Sequence, residues 1–595
     1  MDAALSTQVL VPEGGVTRRV RSRVILLATL LLAATSSLRS DAIVITRAML
    51  ASTIAEIFIE KDSVFVRLEI GASDIPAFRN AMPDEVYRAL GLDAEPWADR
   101  LDRFFAEDFV ITDGNAPLRG AIVGLQARER IKRDEVTGEP VPLAADEEAE
   151  RVIELRLVYG LRGTPSSLTL EPPRSDRTGA ANIGFITYHR NLPVNDFRYL
   201  SRRETINLDW ADPWFSQFEN RNLRRQFFAP ISAFLYMEPY EVRKEIVFRP
   251  KDLEAWVDLG LSGTDTIRVE DQEALKQRVV EFLADRAPLT IDGQPVEGLL
   301  DRVHFIYRNL RTSGVIEPAE DLDIIQATMG VIFVYPVDSL PQEVTMTWDL
   351  FTDRIPRVPT TATDEAGSLP YILSDGDNVM RWKNFLTNPT STAFVDVSAP
   401  PRYRILFMAL TVLAAVAMLV VANRYRLTIP ERRIPRMPIA ITAMGLLGVI
   451  GFSFPRAFGA GVSDAQAQEV VHGLLRNVYR AFDFREEGRI YDALEESTTG
   501  ELLTEVYLET QRSLVLANQG GARAKVKEVE ILDGDYSGVA GGGFVSHVTW
   551  MVKGSVGHWG HIHQRVNQYE ARITVEVVDG QWKITGMELL EEVRV

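Results

Sequence analysis

Residues 55–70, AEIFIEKDSVFVRLEI, alternate apolar and polar positions on either side of a short polar break. That period of two predicts a pair of strands with one buried face. Residues 233–248, AFLYMEPYEVRKEIVF, repeat the pattern, and the two stretches superpose without a gap. Ala55 falls on Ala233, Glu60 on Glu238 and Val64 on Val242; further on, Asp74 meets Asp252, Ala77 meets Ala255, Arg100 meets Arg278 and Phe104 meets Phe282. After one inserted residue DFVITDGNAPLRG (108–120) aligns with APLTIDGQPVEG (287–298), and later VYGLRGTPSSLTLE (158–171) with VYPVDSLPQEVTMT (334–347). A period this long reads as two tandem copies of one domain, 43–220 and 221–402, rather than as a solenoid. Asp-Gly between apolar runs marks a hairpin in each copy. A helical pattern follows the first strands of each, AEPWADRLDRFF and QEALKQRVVEFL. The expected fold is an immunoglobulin-like sandwich with a helical insertion, a mixed α+β domain being the alternative.

Three apolar segments set the organisation. VILLATLLLAATSSL, within 24–42, follows a basic N-terminus (1–23) and predicts a signal peptide or a short N-terminal anchor. ILFMALTVLAAVAMLVVA (405–422) and MPIAITAMGLLGVIGFSFP (437–455) read as transmembrane helices. The Arg-rich loop between them, 423–436, and the basic N-terminus both face the cytoplasm by the positive-inside rule. Both large polar regions, 43–402 and 457–595, then lie outside. Neither long helix carries an ionisable group in its interior, which argues against an ion or proton path. Gly445, Gly448 and Gly451 permit close helix approach, expected within the hairpin in preference to an oligomer seam.

The copies are joined by NLDWADPWFSQFENRNLRRQFFAP. Trp210, Trp214, Phe215 and Phe218 are the candidate interface residues of this connector. They either wedge between the domains or form an exposed docking strip, since aromatics interleaved with arginine favour binding hot spots. Trp382 and Phe385 in MRWKNFL echo Trp214 and Phe218, which favours a structural role in each copy.

Residues 464–516 carry helical periodicity, and four strand patterns follow. Helices leading into an antiparallel sheet that closes on VDGQWKITGMELL (578–590), with the Asp579-Gly580 turn before Trp582 and Ile584, resemble the NTF2-like (SnoaL-like) cone domain. The resemblance covers 457–595. It implies an α+β cone but no single function, since the superfamily includes enzymes, ligand binders and assembly modules. Inside this region GHWGHIHQRVNQYEARI (557–573) places His558, His561 and His563 at a turn between two long strands. With a carboxylate they would suit one zinc or copper ion. A structural or interface role is the competing reading, and a pH-responsive surface a third.

Composition narrows function further. The chain has 595 residues, 46% hydrophobic and 25% charged, enough for several folded domains. Its net charge of −18 argues against a nucleic-acid partner. There is no cysteine, which removes disulfides, thiolate catalysis and Cys-based zinc sites. No G-x-S-x-G, Walker or H-E-x-x-H motif occurs. The resulting expectation is a multi-pass protein of the bacterial inner membrane, displaying periplasmic docking domains as a scaffold without chemistry of its own. Its partners would be the lipid bilayer and other envelope proteins, with homo-oligomers as a further option. The alternatives are a ligand- or metal-binding protein or enzyme that uses the C-terminal cone pocket, and an accessory subunit of an envelope transport or secretion complex.

Overall fold

The computed structural model describes residues 47–595 apart from 115, 135–137, 144–147, 176–178, 227–228, 309–312, 388, 390, 400–403, 428–435, 459–461, 521–522 and 540–542. The basic N-terminus, the segment 24–42 and residues 428–435 of the Arg-rich loop lie outside the described residues. The chain is mostly β-sheet with a few helices, and it divides into two compact units. One comprises the described residues of Leu38–Pro389 together with the turn Gly557–His563; the other comprises those of Thr390–Val556 and Gln564–Val595.

The first half of the Leu38–Pro389 unit is built on β1 (Thr53–Ile59), β2 (Ser63–Ile70), β3 (Val110–Thr112), β4 (Gly120–Glu129), β5 (Arg151–Gly160), β6 (Ser167–Glu171), β7 (Ile183–His189) and β8 (Glu204–Asn207). One sheet runs β7-β1-β2-β5-β4, with β1 and β7 parallel and the other pairs antiparallel. A second sheet runs β8-β6-β3. Alternate residues of both sheets meet in one core, including Ile57, Val66, Leu157, Leu168, Leu170 and Ile206. The helix α1 (Trp97–Arg103) lies in the insertion between β2 and β3, where its buried Arg100 donates to the Met82 carbonyl (2.9 Å).

The second half repeats that order. Its strands are β9 (Ile231–Glu238), β10 (Glu241–Phe248), β11 (Leu289–Ile291), β12 (Leu299–Arg308), β13 (Met329–Pro336), β14 (Glu343–Thr347), β15 (Arg357–Asp364), β16 (Gly367–Ser374) and β17 (Val379–Lys383). The large sheet runs β16-β15-β9-β10-β13-β12, again with its parallel pair, β9 with β15. The small one runs β17-β14-β11. The insertion here is a longer helix, α2 (Val269–Ala284), which buries Leu275, Val279 and Leu283 at helical spacing. Register matches as well: Thr53 pairs with Ile70, and Ile231 with Phe248. Trp382 pairs with Val344 where Ile206 pairs with Leu168, so the echo of Trp214 and Phe218 in Trp382 and Phe385 does not hold. Trp382 is a core residue and Phe385 is 80% exposed.

The outer faces of the two large sheets differ. In the first half Arg128 bridges Glu69 (2.7 Å) and Glu154 (2.5 Å), Arg133 bridges Glu56 (3.0 Å) and Glu69 (3.2 Å), and Arg67 pairs with Glu56. In the second half the equivalent register positions hold Phe234 for Glu56, Val247 for Glu69 and Gly330 for Glu154. That apolar patch, with Ile306, Ile332 and Val334, receives Trp559, which is 0% exposed. A Cβ at Gly330 would overlap the Trp559 ring.

In the other unit α3 (Arg404–Leu427) and α4 (Arg436–Phe458) are apolar helices. Leu406–Arg424 is long and apolar enough to cross a membrane; the apolar stretch of α4, Ala440–Phe454, is shorter. The two helices meet through Thr411 and Ser453, whose hydroxyls lie 2.7 Å apart, so that one donates to the other and the second donates to the carbonyl one turn back in its own helix. Gly445, Gly448 and Gly451 do not serve this contact. A Cβ on any of them would meet nothing within 4 Å, so the glycine stripe faces away from α3.

The helices α5 (Asp464–Tyr479), α6 (Glu487–Glu495) and α7 (Gly500–Gly520) then precede a four-stranded antiparallel sheet. Its order is β18 (Arg523–Gly538), β19 (Phe544–His558), β20 (His561–Val578), β21 (Gln581–Arg594). Asp579 and Gly580 supply the turn before β21 with φ of 50° and 81°, a pair that a two-residue hairpin requires. The domain boundary expected at 402 falls earlier. Asn477 holds the backbone of Val395 at both its N–H (2.8 Å) and its carbonyl (3.0 Å), and the Trp582 and Ala399 N–H groups bond Val397 and Gly580 carbonyls. Residues 395–399 thus line the edge of β21 instead of completing the second half.

Candidate interface and binding surfaces

The connector aromatics sort into different environments. Phe218 is fully buried in the core of the first half, edge-on to Phe185 at 5.6 Å, and offers no surface. Trp210 donates its indole N–H to the Pro165 carbonyl (2.7 Å) and lies edge-on to His189. Trp214 is held between two guanidinium groups, Arg225 at 4.4 Å and Arg249 at 4.7 Å. Phe215 lies under Arg354 at 4.3 Å, and Arg354 also pairs with Asp209.

The centre of this joint is Arg249, 1% exposed, at the end of β10. Its Nη1 and Nη2 grip Asp212 (3.1 and 2.8 Å), and its Nε and Nη2 grip Asp252 (2.7 and 2.8 Å). The remaining Nη1 donor reaches the Ile325 carbonyl at 3.2 Å. All five guanidinium donors are used, as a buried cation requires. Burial works against ionisation of Asp212, and the Arg249 guanidinium outweighs it, holding that carboxyl below the usual range. Asp212 also caps the turn at Pro213 by accepting the Trp214 N–H (3.2 Å). Burial lowers the Arg225 pKa to about 10. Two of the candidate residues, Trp214 and Phe215, are therefore parts of one cation–aromatic joint between the halves, built on charges that no motif announced, while Trp210 packs on the core of the first half.

Next to Trp210, His189 is buried, with its Nδ1 2.7 Å from the Ser216 hydroxyl and its Nε2 without a partner. Burial pushes its pKa down to about 4.

A largely exposed strand of this unit is β16, GSLPYILS, at one edge of the large sheet. It carries no charged residue, and Leu369 and Ile372 are 46% and 66% exposed. At the matching edge of the first half, β7 is covered by two short strands, Leu192–Pro193 and Arg198–Leu200.

The histidine stretch surrounds a two-residue turn, Trp559 and Gly560, with φ of 49° and 79°. The backbones of His558 and His561 flank that turn, and His563 lies two residues further on. The side chains of His558, His561 and His563 lie outside the described residues. Trp559 fills the Gly330 hollow, and the Gly560 N–H donates to the buried Glu245 carboxylate (3.0 Å).

In the other unit a cavity of about 40 Å³ opens between the helices and the sheet. Leu475, Phe482, Leu502, Val506, Trp550 and Met587 line it. Thr498 and Thr510 also face it, but their hydroxyls donate to carbonyls of their own helical turns (2.7 and 2.8 Å). Beside it, Tyr479 accepts the Trp550 indole N–H at 3.3 Å, and Trp550 stacks on Tyr569 at 5.4 Å. No protein-family model matches the chain, and no characterised protein matches it.

Proposed function

We propose that this chain is a membrane-anchored scaffold that adds an extended segment of another envelope protein to the edge of its second sheet, at β16. In this reading the apolar helices hold it in a bacterial inner membrane, with both large regions on the periplasmic side. Each half of the Leu38–Pro389 unit is taken as an immunoglobulin-like sandwich, and the C-terminal region as an NTF2-like cone. What supports the docking role is a single contrast. Sheet edges are ordinarily blunted by charge, by proline or by covering strands. The first half covers its edge with two short strands, whereas the second half extends it with an uncharged strand showing Leu369 and Ile372, in which Pro370 removes one main-chain donor and is the strand's single blunting residue. Such an edge supplies main-chain hydrogen bonds for affinity and alternate side-chain positions for specificity. The joint around Arg249 would keep this edge at a constant angle to the first half.

The test is a photo-crosslinking residue at position 372 in native membranes, with a control at the buried position 373. Position 372 should yield one discrete adduct, and Leu369→Lys with Ser374→Lys should abolish it. An adduct pattern unchanged by these lysines would overturn the reading.

A further inference from the structure

One face of the C-terminal sheet carries polar groups that its own residues leave incomplete. Arg565, Asn567 and Tyr569 alternate along β20 and so share one face. Glu592 and Arg594 lie opposite Tyr569 and Asn567 on β21. Asn567 is 6% exposed; its Nδ2 donates to the Tyr569 hydroxyl (2.9 Å) and to Glu592 Oε1 (3.1 Å), while its Oδ1 is buried with no hydrogen-bond partner. The Nε of Arg565 is likewise buried and unpartnered. One orphan is an acceptor in need of a donor, and the other is a donor in need of an acceptor. Leaving either unmade costs about 1–3 kcal/mol.

Charged side chains of both signs surround the two orphans. Burial and the neighbouring Arg594 both disfavour the charge on Arg565, and burial pushes Glu592 toward its neutral form. Arg565, Arg594 and Glu592 thus share this face, and burial shifts the Glu592 carboxyl upward from its ordinary pKa. Tyr569 carries this polar cluster to Trp550, which lines the apolar cavity.

We propose that this face binds an alkyl phosphate monoester, with its phosphate between Arg565 and Asn567 and the end of its chain in the cavity beside Trp550. Head-group chemistry selects among ligands. A carboxylate is fully ionised near pH 7 and has no proton for Asn567 Oδ1. An alcohol has both a donor and an acceptor but no charge for the arginine pair. A phosphate monoester, with a second pKa near 6, keeps a P–OH in its monoanion, which presents P–O⁻ to Arg565 and P–OH to Asn567, so binding should strengthen as pH falls from 7 toward 6. The two residues lie about 6–7 Å apart along the strand, a span that one phosphate bridges with two hydrogen bonds. The small cavity accepts only a short chain end.

The test uses the full chain in phosphatidylcholine nanodiscs, with binding followed by phosphorus NMR line broadening. Hexyl phosphate should bind at least about tenfold more tightly than inorganic phosphate, and hexanoate and hexanol should compete weakly. Arg565→Gln should weaken hexyl phosphate about tenfold or more, with Arg565→Lys retaining part of the affinity. Leu502→Trp, which fills the cavity, should erase the preference for the alkyl ester over inorganic phosphate. Competition by phosphatidic acid added to the nanodiscs would assign the head group to a lipid, and lack of competition would assign it to a soluble ester. Equal affinity for hexyl and inorganic phosphate, or no loss in an Arg565→Gln protein that keeps its circular dichroism spectrum, would overturn the proposal.

Discussion

Replacing Arg249 by methionine tests the joint between the two halves. The substitution keeps most of the side-chain volume and removes a cation whose donors are all used. Asp212, 3% exposed, and Asp252 are then left without their guanidinium. Breaking a buried, hydrogen-bonded pair on one side costs about 3–5 kcal/mol. Asp212→Ala should cost less, near the lower end of that range, because Arg249 keeps Asp252. Since both changes remove the same contact, the double substitution should fall short of the sum by about 1–3 kcal/mol. Amide hydrogen exchange over residues 209–218 and 249–253 reads this directly. An opening cost lowered by 3 kcal/mol raises exchange about a hundredfold. A loss below about 1 kcal/mol for Arg249→Met, or strict additivity in the double variant, would refute a coupled joint.

Other consequences are open to measurement. Trp559→Ala should destabilise the large sheet of the second half by about 3–5 kcal/mol, read as faster amide exchange in β12 and β13. Trp559→Phe should cost much less, because the buried indole N–H has no partner to lose. Gly330→Ala should mimic Trp559→Ala, and the pair together should cost little more than either alone. His189 has a folded-state pKa of about 4 against 6.5 unfolded, so the unfolded state binds the extra proton. Stability should therefore fall by up to about 3 kcal/mol as pH drops from 6.5 to 4, a loss that His189→Gln should suppress. Thr411→Val and Ser453→Ala should each loosen α3 against α4 by about 0.6 kcal/mol and be non-additive, as assayed by cysteine crosslinking between the helices.

The parts of this fold visible in the sequence are those set by local periodicity. The matched stretches 55–70 and 233–248 form hairpins in identical register, and the Asp-Gly pairs at 292–293 and 579–580 occupy turns with positive φ. The parallel pairs β1 with β7 and β9 with β15 join segments more than a hundred residues apart, and no periodicity marks them. The joint escaped for a similar reason. Asp212 and Arg249 belong to no motif, and their charges look solvated until the two halves meet. Duplication also hid divergence: Gly330 reads as a weak strand residue, and its purpose is legible only with Trp559 lying over it. In α4 the glycine spacing suggested hairpin packing, whereas Thr411 and Ser453 make that contact. Of the cluster on β20, Arg565 and Asn567 gave no signal, because an orphaned atom is a property of the folded surroundings.

The central claim is that the Leu38–Pro389 unit, with its docking edge, is displayed outside the cytoplasm. The native chain has no cysteine, so one introduced at the exposed Asp375, beside β16, is unique. Asp375→Cys should react with a membrane-impermeant maleimide in intact spheroplasts to the same extent as after lysis. Labelling that occurs only after lysis would place β16 in the cytoplasm and contradict the account.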